Sequence, residues 1–145
     1  MTNKKGQTIR LPFFLKRRRT MTRTTINAQN APAAVGPYVH AVMTGDIVFT
    51  SGQLGLIPET GVLAEGVEAQ AEQAMKNIQV VLEEAGCTLN DVVKTTVFLA
   101  DMKDFATINA IYAKYFNENK PARSCVQAAA LPKGGLFEME VIAVK

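Results

Sequence analysis

The stretch ARSCVQAAALPKGGLFEMEVIAV, residues 122–144, decides how this chain folds. Its second half alternates with a period of two. Phe137, Met139, Val141 and Ala143 fall on one side of an extended strand, and Glu138, Glu140, Ile142 and Val144 on the other. The first set suits a core beneath helices. The second begins with two carboxylates and then turns apolar. Either the glutamates are simply solvated at a strand end, or that face meets a partner, which for a chain this small can be a second copy of itself. The first half, ARSCVQAAA at 122–130, is small and apolar and reads as a buried strand, yet Arg123 stands near its start. An arginine is seldom buried unless something anionic meets it. LPKGG at 131–135 joins the two strands.

Working back toward the N-terminus, DVVKTTVFLA at 91–100 is β-branched and aromatic for most of its length and reads as a strand. Asp101 or Asp104 can cap a helix after it, with Phe105, Ile108, Ile111, Tyr112, Tyr115 and Phe116 as the buried face. A longer helix is predicted from Gly66 to Ala85. Its apolar stripe is Val67, Ala71, Ala74, Met75, Ile78, Val81, Leu82 and Ala85, and Gly86 suits the position just past its end. YVHAVM at 38–43 and IVFTSG at 47–52 flank Thr44-Gly45-Asp46, which predicts a β-hairpin. The order is β-β-β-α-β-α-β-β, an α+β fold with two helices against one largely antiparallel or mixed sheet.

The chain's 145 residues, 48% hydrophobic and 20% charged, describe one globular domain. No apolar run approaches the roughly 20 residues of a membrane-spanning helix. Cys87 and Cys125 lie far apart with no CxxC pair, which reads as free thiols in a reducing cytosol. The net charge of +3 conceals an asymmetry. Seven of the sixteen Lys and Arg sit in residues 1–20, which contain no acid, so nine remain against thirteen Asp and Glu. The body of the chain is mildly acidic, and no broad phosphate-binding surface is expected. Residues 1–20 read as a basic arm for nucleic acid or acidic lipid, as a targeting peptide, or as an appendage to a single domain spanning 21–145.

Several chemistries lack their signatures. The one histidine, His40, has no clustered ligands beside it in sequence, so no metal is expected. A Ser-His-Asp triad would lack its nucleophile-elbow motif, and neither a P-loop nor GxGxxG is present, so no nucleotide cofactor is expected either. Cys125 is a nucleophile or, as a Cys in an apolar strand, an inert core residue. What remains is Arg123 on one strand and Glu138 on the next. If those strands pair, the two can approach as a plain salt bridge. Alternatively they form a site in which the guanidinium fork holds a small carboxylate while Glu138 handles a water or a proton.

PARSCV, then LP, then EME, with GPYVHAV, TSGQLGL and FATIN upstream, resembles the Rid family of reactive intermediate deaminases. The likeness is greatest to the RidA type that acts on 2-iminobutanoate and 2-iminopropanoate. It runs from about Thr25 to Val144 and leaves residues 1–20 uncovered. It implies a chorismate-mutase-like fold assembled as a cytoplasmic homotrimer, with sites between subunits and no cofactor or metal. The implied reaction is hydrolysis of enamines and imines to 2-keto acids and ammonia. By the same resemblance, Arg123 binds the substrate carboxylate, Cys125 assists through its main-chain N–H, and Glu138 positions the attacking water. Tyr38, Ser51, Gly52 and Asn109 match further pocket positions. His40 stands where Gln is common in the family, and Phe137 where an aliphatic residue is usual. Two other readings stay open. One is RNA binding, ribonuclease or translation-inhibitor activity, described for relatives and locally supported by the basic tail. The other is a small-carboxylate-binding module without turnover.

Overall fold

The computed structural model describes residues 22–145, so the expectation of a basic extension at 1–20 lies outside the described residues. One mixed sheet carries β1 (Arg23–Ile26), β2 (Ala41–Thr44), β3 (Ile47–Thr50), β4 (Gln53–Leu54), β5 (Val92–Leu99), β6 (Ala122–Gln127) and β7 (Phe137–Val144). Two helices, α1 (Gly66–Glu84) and α2 (Phe105–Tyr115), complete the α+β architecture. The strand order is β1-β2-β3-β7-β5-β6, with β4 also paired to β7. All pairings are antiparallel except β5 with β6, which α2 connects.

The hairpin forms where expected. Thr44 pairs with Ile47 across a two-residue turn, and Gly45 supplies its positive φ of 59°. The second strand of that hairpin is shorter than IVFTSG suggests. It stops at Thr50, skips Ser51 and Gly52, and resumes as β4 further along β7. Helix α1 ends in a Schellman motif: Gly86 (φ 76°) donates its N–H to Glu83, and Cys87 donates to Leu82. In α2, Ile108, Ile111 and Tyr112 are buried, and Phe116 is buried just beyond its end, but Phe105 is 39% exposed. Asp101 caps the short 3-10 turn before α2, accepting from Lys103 N–H at 2.9 Å, while Asp104 makes no side-chain cap.

β7 behaves as its alternation demands. Phe137, Met139, Val141 and Ala143 are buried against α1 and β5, and Glu138, Glu140, Ile142 and Val144 face the uncovered side. The expectation of a buried strand at Ala122–Ala130 is corrected. β6 ends at Gln127 and is the outermost strand, so most of its residues are exposed. Small apolar composition alone does not distinguish an edge strand from a central one.

Two amides on the buried face of α1 tie the layers together. The Gln70 side chain accepts from Leu136 N–H at 2.8 Å and donates to the Ala64 carbonyl at 3.0 Å. The Asn77 side chain donates to the carbonyls of Leu54, at 3.0 Å, and Leu56, at 2.9 Å. Between those carbonyls, Gly55 lies flush on the helix. A Cβ there would run into the Gln70 backbone, which cannot yield as a side-chain tip can. Gly55→Ala is therefore expected to cost about 2 kcal/mol or more by overpacking. Thermal unfolding checks this, and an unchanged Tm would refute the tight contact.

Candidate active site

The seven residues implicated by the sequence fall into two groups, on opposite faces of the sheet. Paired residues of neighbouring strands point to the same face. Arg123 pairs with Thr95, which pairs with the buried Val141, so Arg123 lies on the helix-covered face. Cys125, paired with the buried Val97, shares it. Glu138 pairs with Phe98 and Leu54 and lies on the uncovered face. The strands of Arg123 and Glu138 do not pair, because β5 runs between them. The expectation that these two residues approach as a salt bridge is corrected. Among the described residues the one ion pair joins Lys114 to Glu72, at 2.9 Å.

Arg123 is held by aromatic rings. Its guanidinium lies 4.6 Å from the ring centroid of Tyr112 and 5.7 Å from that of Phe105. Tyr112 is itself fixed, sharing a 2.8 Å hydrogen bond with the buried Thr95 hydroxyl. Asn109, four residues after Phe105 and three before Tyr112, lies on the same stripe of α2. Stacking orients the guanidinium while leaving its charge uncompensated and its N–H edge open to an anion. The Cys125 thiol is pushed up by burial, against a smaller opposing pull from Arg123, so it stays protonated and is a poor nucleophile.

The second group lines a cavity of about 310 Å³ bounded by Tyr38, Ser51, Gly52 and Glu138, with Pro32, Leu54 and Leu56 among its apolar walls. Gly52 leaves the space in which the Glu138 carboxylate sits. A Cβ at this position would overlap the Glu138 carboxylate, so the break between β3 and β4 is where that carboxylate tucks against the main chain. The Ser51 hydroxyl is committed, donating to the Val39 carbonyl at 2.6 Å. Tyr38 is 45% exposed, and its hydroxyl accepts from Val35 N–H at 3.3 Å. Burial raises the Glu138 pKa from its ordinary value, and the neighbouring Glu140 adds to the shift. Such a carboxylate can take a proton from water and return it.

Sequence reasoning missed Thr95, Tyr112 and Phe105 as the seat of Arg123, and Gln70 and Asn77 as the ties that set the cavity floor. The polar Gln70 and Asn77 are seven residues apart on an otherwise apolar stripe, and that spacing was the available signal. His40, which also borders the cavity, is buried with both ring nitrogens hydrogen-bonded to the main chain. Among the described residues no group of three or more His, Cys, Asp and Glu comes together to hold a metal ion. Nor is any of their helices long and apolar enough to cross a membrane.

The carboxylate pair gives a signed expectation. Glu140→Gln removes a negative neighbour, stabilises the ionised Glu138 and lowers its pKa, so Glu138 stays ionised to lower pH than in the wild type. A carboxyl-detected NMR titration checks this, and an unmoved or upward-shifted Glu138 midpoint would contradict it.

Residues 28–145 match the family model described as Endoribonuclease L-PSP. The chain is 52% identical over 124 residues to the 2-iminobutanoate/2-iminopropanoate deaminase of Salmonella typhimurium, covering 83% of this chain and 97% of that one. It is 50% identical over 127 residues to the deaminase of the same name from Mus musculus, covering 87% and 94%. Among solved structures, RidA from the Antarctic bacterium Psychrobacter superposes with a TM-score of 0.82 at 52% identity, covering 84% of this chain and 99% of that one. TdcF of E. coli, solved with bound serine, superposes with a TM-score of 0.81 at 45% identity, covering 84% and 98%. With its mixed sheet, its two helices and a family match across most of its length, the chain belongs to the Endoribonuclease L-PSP family, the Rid family of reactive intermediate deaminases.

Proposed function

We propose that this chain hydrolyses 2-imino acids such as 2-iminobutanoate and 2-iminopropanoate to 2-keto acids and ammonia, in sites formed where copies of a homotrimer meet. The observation that carries the reading is Arg123, a guanidinium fixed by two rings and without an acid partner among the described residues. Relatives at about half identity bear the name of this deaminase, and one relative holds serine, an amino acid with the carboxylate such an arginine would take.

In this reading the half-site of one copy (Arg123, Cys125, Asn109) faces the half-site of the next (Tyr38, Ser51, Gly52, Glu138). Their placement on opposite faces of one sheet supports a site shared between chains over one within a chain. It suits two chains docked face to face. Ile47, Phe49, Ile142 and Val144 share the uncovered face, and their burial would stabilise the assembly.

The chemistry then needs few groups. Arg123 holds the carboxylate bidentately and so fixes the C=N carbon beside Glu138. Glu138 takes a proton from a water as its oxygen bonds to the imine carbon, giving a tetrahedral carbinolamine. With the imine entering protonated, Glu138 returns that proton to the amino nitrogen, the C–N bond breaks with ammonia leaving, and the Glu138 carboxylate takes the hydroxyl proton as the carbonyl forms. The main-chain N–H at Cys125 supports the substrate, and its thiol takes no part. Ribonuclease chemistry is less well served. The single histidine is locked into main-chain hydrogen bonds.

A coupled assay with a threonine dehydratase, with semicarbazide trapping residual imine, tests the reaction. Wild type is expected to speed release of 2-ketobutanoate, and Arg123→Ala to lose about a hundredfold or more of kcat/KM. Mixing tests the assembly. Arg123→Ala and Glu138→Gln, each inactive alone, are expected to regain part of the activity when co-assembled, since one interface then carries both intact groups. No acceleration by wild type would end the deaminase reading. Failure of co-assembled variants to recover would place the whole site within one chain.

A further inference from the structure

The loop between β1 and β2, residues 27–40, supplies one wall of the cavity through Pro32, Ala33, Val35 and Tyr38. This wall has little structure of its own. Its internal hydrogen bonds are few: Ala31 N–H to Ala28, Tyr38 N–H to Gly36, and Val35 N–H to the Tyr38 hydroxyl. Side chains fasten it at two points. At one, Ser51 donates its hydroxyl to Val39. At the other, the buried His40 ring reaches back into the loop. Its Nδ1 accepts from Ala28 N–H at 2.9 Å and therefore carries no proton. Its Nε2–H donates to the Pro32 carbonyl at 2.8 Å. One imidazole thus bridges two points of the loop four residues apart.

We propose that His40 is a positioning residue that fixes this wall and so sets which substrate side chains the cavity accepts. The inference rests on the deaminase reading and deepens it. A substrate carboxylate is repelled by Glu138 and drawn to Arg123 of the facing copy. The substrate's side chain is then what remains to meet the apolar lining beside Glu138: Pro32, Ala33 and Val35 of the loop, and Leu54 and Leu56 opposite them. With both ring nitrogens occupied by the main chain, His40 acts through the wall. Loosening the wall costs a large apolar side chain more than a methyl, because the larger group draws more of its binding from it.

The test compares wild type, His40→Leu and His40→Gln on a methyl and an isobutyl substrate, 2-iminopropanoate and 2-imino-4-methylpentanoate. The matching 2-oxo acids serve as binding probes. His40→Leu keeps the volume and removes both hydrogen bonds. It is expected to shift the isobutyl-to-methyl ratio, in kcat/KM and in Kd, about tenfold toward methyl. A primary amide offers one acceptor and one donor, so His40→Gln is expected to restore the ratio. Ala28 N–H exchange, measured without ligand, is expected to be slow in wild type and His40→Gln and fast in His40→Leu. A merely structural lesion lowers both substrates by one factor, and an unchanged ratio in His40→Leu would overturn the proposal. If wild type turns over neither imine but the ratio of oxo-acid affinities still shifts, the positioning role stands and the deaminase reading falls. Should His40→Leu not fold, His40→Asn, which reaches at most one of the two partners, is read in the same way.

Discussion

The ladder between β5 and β7 is the constraint on which the rest depends. β7 pairs with β3 and β4 on one side and β5 on the other, so every second side chain is forced into the core and the alternates onto the uncovered face. A one-residue slip would bury both glutamates and expose Phe137 and Met139. The same ladder inserts β5 between the strands of Arg123 and Glu138 and turns these side chains to opposite faces. The division of the candidate site into halves is therefore a consequence of register.

Each half of the candidate site is held by groups outside it. The arginine half depends on a buried hydroxyl pair, Thr95 with Tyr112, which fixes the ring beneath the guanidinium. The glutamate half depends on α1, whose Gln70 clips the start of β7 and whose Asn77 clips the chain at Leu54 and Leu56. Buried amides are costly unless satisfied, and these are satisfied by main-chain groups that would themselves be stranded without them. The hydrogen bonds thus couple the stability of the helix–sheet interface to the placement of the site.

The electrostatics of the halves are complementary. The Arg123 guanidinium is held by rings rather than by an acid among the described residues, while Glu138 is biased toward its neutral form by burial and by Glu140. Brought together across an interface, a fixed cation and a carboxylate of raised pKa suit a substrate with a carboxylate beside an electrophilic carbon. An imine carbon is already activated toward water. Orientation and one proton relay are enough, so the absence of a triad signature in the sequence fits the reading.

Most of the elements, and the faces of β7 and α1, are legible in local sequence. The period of two in LFEMEVIAV, the stripe through Val67 and Leu82 and the turn at Gly45 are local patterns, written in neighbouring residues and legible without a fold. The short motifs also pointed to the candidate residues and the family. Strand order emerged from the assembled sheet, and it made ARSCVQ an exposed edge and separated Arg123 from Glu138. The tertiary structure showed Phe105 beside the guanidinium, the carboxylate in the space left by Gly52, and the imidazole tied to Ala28 and Pro32. Strand order and these contacts are pairings between residues far apart in the chain. They are selected by the burial and hydrogen bonding of the whole fold, and no local pattern encodes them.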